Sequence, residues 1–166
     1  MPEAQVRRGV RIGLDIGSVR IGVARCDPSG LLATPVATLQ RSRREDQVAE
    51  IAEIVRDLEA IEIIVGLPRS LSGAEGRSAQ EVLAYASRLT QAVDRVPVRL
   101  VDERLTTVTA HQALTRSGRN GRSHRQVVDQ VAAVLILQNA LDFERSTGAP
   151  AGTPLEPDRG GEEEIP

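Results

Sequence analysis

The sequence predicts an α/β domain: a central mixed sheet of five strands flanked by helices. Three observations predict it. A stretch near the start alternates apolar and small or polar residues with the period of a strand. Two strand-then-helix units come after it, and the last long segment, with VAAVLIL at its centre, is so apolar that most of its circumference must be buried. A chain of 166 residues fits one domain, and 40% hydrophobic content suffices for a single core. Aromatic content is 1%, so that core must be aliphatic, and rows of stacked aromatics of the kind that hold single-stranded nucleic acid are excluded.

Val10, Ile12, Leu14 and Ile16 alternate with Arg11, Gly13, Asp15 and Gly17, which sets Asp15 on one face with two glycines. Turns at Gly17-Ser18 and Pro28-Ser29-Gly30 separate this strand from VRIGVARCD (19 to 27) and LLATPVATL (31 to 39), giving a three-stranded meander. Val48, Ile51, Ala52, Val55 and Leu58 recur at helical spacing and predict a helix over about 45 to 59. IEIIVGL (61 to 67), closed by Pro68, reads as a buried parallel strand. Ala79, Val82, Leu83, Ala86, Leu89 and Val93 mark a second helix, and VPVRLV (96 to 101) a fifth strand, with right-handed crossovers expected. A third helix is expected from Thr106 to Arg116, then a charged mobile loop, SGRNGRSHR, and a last helix over about 126 to 143. Residues 1 to 145 form the expected domain, and 146 to 166, rich in Pro, Gly and acid, an expected disordered tail.

The net charge of −2 conceals an uneven distribution. Residues 150 to 166 hold five acids and one Arg, whereas residues 1 to 149 hold 20 basic and 18 acidic residues. Between Glu103 and Asp129 there is no acid, while Arg104, Arg116, Arg119, Arg122 and Arg125 gather there. Such a field attracts phosphates, and Arg suits them because its planar fork binds oxygens in pairs. No apolar run reaches the roughly 18 residues of a membrane span and no secretory leader is visible, so a cytoplasmic protein is expected. The single cysteine, Cys26, cannot close an intrachain disulfide; a bridge between two chains remains open to it.

Three acids fall where the pattern asks for something else: Asp15 inside the first strand, Asp102-Glu103 at the end of the fifth, and Asp129 near the start of the buried helix. Unpartnered burial of a carboxylate is expensive, and cations would relieve it. Hard ions such as Mg²⁺ or Mn²⁺ prefer oxygen ligands, and a pair of them can drive phosphodiester hydrolysis. Each acid also has a plain structural reading: Asp15 as acceptor for turn amides, Glu103 as partner of Arg104, Asp129 as a helix N-terminal acid. Without a His, Lys or Ser nucleophile constellation, metal-activated water is the simplest chemistry.

Four segments, GLDIGSVRIGVA (13 to 24), IVGLPRSLSGAEG (64 to 76), VDERLTT (101 to 107) and VVDQVAAVLIL (127 to 137), resemble the YqgF/RuvX-type proteins, a family of pre-16S ribosomal RNA nucleases and Holliday-junction-resolvase-like proteins. The likeness runs from about Val10 to Asp142. It implies an RNase H-like fold and metal-dependent cleavage of structured nucleic acid, pre-rRNA first and branched DNA second. It also implies an acidic triad of Asp15, Glu103 and Asp129 holding Mg²⁺ or Mn²⁺, with Asp102 the alternative to Glu103. Arg20 and Arg104 match basic positions of the family, and Arg69 adds a base where an apolar residue is common. With Arg116, Arg119, Arg122 and Arg125 these form the expected nucleic-acid-binding set. Junction cutting would require a homodimer. Two rival readings are an ATP-binding actin-like relative, which would need a second lobe and a second phosphate loop, and a noncatalytic nucleic-acid-binding factor, against which the intact acids speak.

Overall fold

The computed structural model describes residues 6–42, 47–68, 79–102 and 121–156, with side chains from 129 onward in the last stretch. The meander forms as its alternation predicts. Strands β1 (Arg11–Ile16), β2 (Arg20–Cys26) and β3 (Ala33–Gln40) pair antiparallel, with a register shift at Val23/Ala24. The β2–β3 turn is pinned by Asp27, whose carboxylate accepts the amides of Ser29, Leu31 and Leu32. The Leu32 amide does most to hold that carboxyl below its ordinary pKa, helped by the other two.

Helix α1 (Val48–Asp57) buries Ile51, Ala52 and Val55, the spaced apolar positions, and leads into β4 (Glu62–Leu67). Helix α2 (Ala79–Ala92) buries Val82, Tyr85, Ala86 and Leu89 and leads into β5 (Val98–Asp102). Strands β1, β4 and β5 run parallel. Helix α3 (Gly121–Thr147) spans 27 residues, roughly 40 Å. Among the described residues no helix is long and apolar enough to cross a membrane.

Three expectations change. The sheet has six strands, in the order β3-β2-β1-β4-β5-β6, because β6 (Thr153–Leu155) comes back from the segment read as a disordered tail and pairs antiparallel with β5. Gly148, with φ +76°, ends α3 by donating its amide to the Glu144 carbonyl. Gly152, with φ +73°, then passes so close to the Leu100 carbonyl that no side chain could fit. Arg99 ties this return down by donating to the Ala151 and Gly152 carbonyls at 2.7 and 2.9 Å. The second change is at the start of α3. Residues 121 to 125, read as loop, are helical; Arg is a good helix former and nothing after Gly121 interrupts the turn. The helix expected over 106 to 116 and the remainder of that loop lie outside the described residues.

The sheet separates two apolar layers. Val10, Ile12, Leu14 and Ile16 face α1 and α2 with Ile21, Val23, Ile63, Val65 and Val98. Ala24, Cys26, Ala33 and Ile64 face α3 and pack on Ala133, Ile136, Leu137, Ala140 and Leu141. Both layers are aliphatic, apart from the Tyr85 ring.

The third change concerns Cys26. Its side chain is fully buried in the α3 layer, with Sγ accepting from the Arg11 amide at 3.2 Å. A bridge to a second chain through it would require opening the sheet, so the packing closes that route. Accordingly, a thiol reagent such as DTNB should titrate no cysteine in the native protein over minutes and one in guanidinium chloride; fast native labelling would contradict the packing.

Candidate active site

Strand alternation and register fix which acids can meet. Asp15 lies on the same face of β1 as Gly13, the face that α3 covers, and is only 7% exposed. Its antiparallel neighbour is Gly22 of β2, whose Cα is about 5 Å away in such a ladder. A Cβ placed on Gly22 would fall inside the van der Waals radius of the Asp129 carbonyl. One on Gly13 would come within 2.7 Å of the Leu137 Cβ and 2.9 Å of the Ala133 carbonyl. Two missing side chains, one on each strand, therefore let α3 lie directly on the sheet. Asp129 is thereby delivered beside the strand pair that carries Asp15.

The same contact is bolted from both sides. Arg20, at the start of β2 and on the same face as Gly22, donates through Nε to Asp129 Oδ2 at 2.7 Å. On the β3 side, Gln130 Nε2 donates to Thr38 Oγ1 at 3.0 Å, and Thr38 is the register partner of Gly22. The site lies toward the carboxyl end of β1, and the parallel strands β4 and β5 end on the same side of the sheet. In open α/β sheets this is where ligands bind.

Asp102 goes elsewhere. It pairs with Leu67 of β4, and both share the parity of Leu100, which packs in the α1/α2 layer; Val101 belongs to the α3 layer. The register thus sets Asp102 against the opposite face from Asp15 and Asp129. Glu103, Arg69, Arg104, Arg116 and Arg119 lie outside the described residues, and the side chains of Arg122 and Arg125 are likewise not described. The backbone positions of Arg125 and Arg122 precede Asp129 by one and two turns of α3. Among the described residues, the site is therefore two carboxylates on one face with a guanidinium against one of them.

The role of Gly22 is missed by the sequence reading, although a glycine inside a strand pattern is itself a sign of close backbone approach. Its substitution is a direct test of the geometry. Gly22→Ala should lower stability by about 1 to 3 kcal/mol, because the atom it strikes is helix backbone and cannot swing aside. Urea unfolding at equilibrium would measure it, and an unchanged midpoint would refute the contact.

A family model described as RuvX, Holliday junction resolvase, matches residues 9–143. A protein of Leifsonia xyli subsp. xyli is 55% identical over 152 residues, which cover 92% of this chain and 97% of that one; a Nocardioides protein is 55% identical over 156 residues, covering 91% and 99%. Both are named as candidate pre-16S rRNA nucleases. Among solved structures, RuvC of T. thermophilus in complex with a Holliday junction substrate superposes with a TM-score of 0.55 over 89% of this chain and 99% of that one, at 16% identity. A second structure of RuvC, from Thermus thermophilus, superposes with a TM-score of 0.52 over 88% of this chain and 99% of that one. At such identity the likeness speaks for the fold, which is RNase H-like. With a family model spanning most of its length and relatives identical at more than half of the aligned positions, this chain belongs to the RuvX family.

Proposed function

We propose that the chain is a metal-dependent endonuclease of structured nucleic acid that processes the 5′ end of pre-16S rRNA during ribosome assembly in the cytoplasm. The observation that carries the reading is the delivery of Asp129 by α3 onto the Gly22 position, the lateral neighbour of Asp15. Two acids from distant parts of the chain are held on one face toward the carboxyl end of β1. Glu103 is taken as the third acid because it matches the family's motif, whereas Asp102, the alternative, shares the parity of Leu100 in the α1/α2 layer.

The donor set fits Mg²⁺ or Mn²⁺. Carboxylate oxygens are the ligands such ions prefer, and the guanidinium resting against Asp129 marks a spot where positive charge is stabilised. When bound, the ions supply an activated water and stabilise the leaving oxygen in phosphodiester hydrolysis. Asp15 and Asp129 supply oxygen ligands from a rigid strand and a rigid helix. The glycines beside them, Gly13 and Gly22, let α3 close on the strand pair so that both acids reach one mouth. Arg122 and Arg125, on the turns of α3 before Asp129, with Arg69, Arg104, Arg116 and Arg119, provide the positive field that brings an RNA backbone to that point. A helix N-terminus rich in Arg disfavours the helix dipole but suits phosphate.

The relatives named for pre-16S rRNA favour RNA as substrate. A second reading, cleavage of four-way DNA junctions, is favoured by the family model's description and by the fold of RuvC. It would require two sites and hence a homodimer. Purified protein incubated with an RNA spanning the mature 16S 5′ end, or with a four-way DNA junction, separates the two. The expected result is cleavage of the RNA with Mg²⁺ or Mn²⁺ and none in EDTA. Preferential junction cutting by a dimer would select the second reading, and ATP hydrolysis without nucleic-acid cleavage would defeat both.

A further inference from the structure

We propose that Arg20 is an exchangeable counter-ion: it holds Asp129 while no metal is bound, and the incoming cation displaces it toward the phosphate of the substrate. The inference rests on the nuclease reading above and names how its site is kept closed and then loaded. Three observations carry it. Arg20 and Asp129 are paired at 2.7 Å, yet the two side chains keep 25% and 17% exposure, so water can reach the pair and separate it. The bond uses Nε with one carboxylate oxygen, which leaves the Nη edge of the guanidinium to other acceptors. Arg20 and Gly22 share the face that also bears Asp15, so a guanidinium released from Asp129 stays beside the same mouth.

A carboxylate hydrogen-bonded to a guanidinium has one lone-pair direction fewer for a metal, and the neighbouring positive charge repels a cation. A part-exposed pair of this kind is weak, so a divalent ion overcomes it at a cost of about fivefold in affinity. Once the metal neutralises Asp129, the guanidinium loses its partner next to the place where a phosphate arrives. Phosphate is an acceptor whose geometry the guanidinium fork matches in pairs. Without metal, the pair keeps Asp129 from repelling Asp15. With metal, the same side chain contributes to the nucleic-acid contact that the family resemblance implies for it.

The experiment uses the full chain without nucleic acid first. Mn²⁺ titration followed by electron paramagnetic resonance should show Arg20→Gln binding about fivefold tighter than wild type, with Arg20→Lys between them. In wild type, the ¹⁵Nε resonance of Arg20, assigned by its loss in Arg20→Lys, should shift on Mg²⁺ addition. With RNA, Arg20→Gln should then raise KM several-fold, so that metal affinity and substrate affinity move in opposite directions. Equal Mn²⁺ affinity in all three proteins, with a stationary Arg20 resonance, overturns the exchange and leaves the metal site standing. Absence of Mn²⁺ binding in every variant overturns the exchange together with the metal reading. Thermal unfolding of each variant shows that the compared proteins are folded.

Discussion

Asp15→Asn is expected to fold and to lose cleavage by about 100-fold or more. Asparagine keeps the shape of the side chain and one of its oxygens but removes the charge, so the packing around β1 survives while the anchoring of a divalent ion does not. Asp129→Asn should lose activity to a similar degree with a different structural signature. It weakens the bond to Arg20, a pair that is part-exposed and therefore worth no more than about 1 kcal/mol. The pair of variants separates catalysis from folding: both should unfold within a few degrees of wild type, and both should fail on RNA in Mg²⁺. Retention of wild-type cleavage by folded Asp15→Asn would remove the metal site from this face of the sheet. Glu103→Gln extends the series to the third acid of the proposal.

The second large effect is on stability. Glu144, near the end of α3 with a side chain 5% exposed, accepts from Arg11 Nη2 at 2.8 Å, from Arg7 Nε at 2.8 Å and from the Arg7 amide at 3.1 Å. Arg7 Nη2 also bonds both oxygens of Glu62, itself the register partner of Arg11. Burial acts to lower the Arg7 pKa, but its bonds and charges with Glu62 and Glu144 prevail and raise it. Two arginines and two carboxylates thus clamp the beginning of β1 to the end of α3. Glu144→Ala leaves Arg11, whose side chain is 2% exposed, as an uncompensated buried charge, while Arg7 can turn to water. The expected loss is about 3 to 5 kcal/mol, or on the order of 10 °C in Tm. Urea unfolding should show a lower midpoint at an unchanged slope. Replacing both partners, Arg11→Met with Glu144→Leu, should recover much of the loss, since a matched apolar pair carries no desolvation penalty. A harmless Glu144→Ala would mean that the clamp is not buried in solution.

That clamp shows where sequence reasoning reaches its limit. Arg11 and Glu144 are 133 residues apart, and neither occupies a position whose local pattern distinguishes it from a surface charge. Only the closing of α3 over the sheet makes them neighbours. The strands and helices that rest on local periodicity were legible, from the alternation of Val10 to Ile16 to the helical recurrence of Val48 to Leu58. So was the grouping of Asp15 with Gly13, because a strand sorts its residues by parity. What failed was local in a different sense. Residues 121 to 125 have loop composition but continue a helix anchored by its later apolar turns, where Ala133, Ile136 and Leu137 pack on the sheet. Thr153–Leu155 is too short to show a strand period at all. Its place is decided by the open edge of β5.

That last strand changes how the protein should be cut for study. A boundary drawn after Arg145, where composition alone would end the domain, removes β6 and uncovers a row of unsatisfied peptide groups along β5. Exposed strand edges recruit other strands, so a shortened version would be prone to self-association through that flank. Retaining the chain through Glu156 keeps the border sealed by its own sequence.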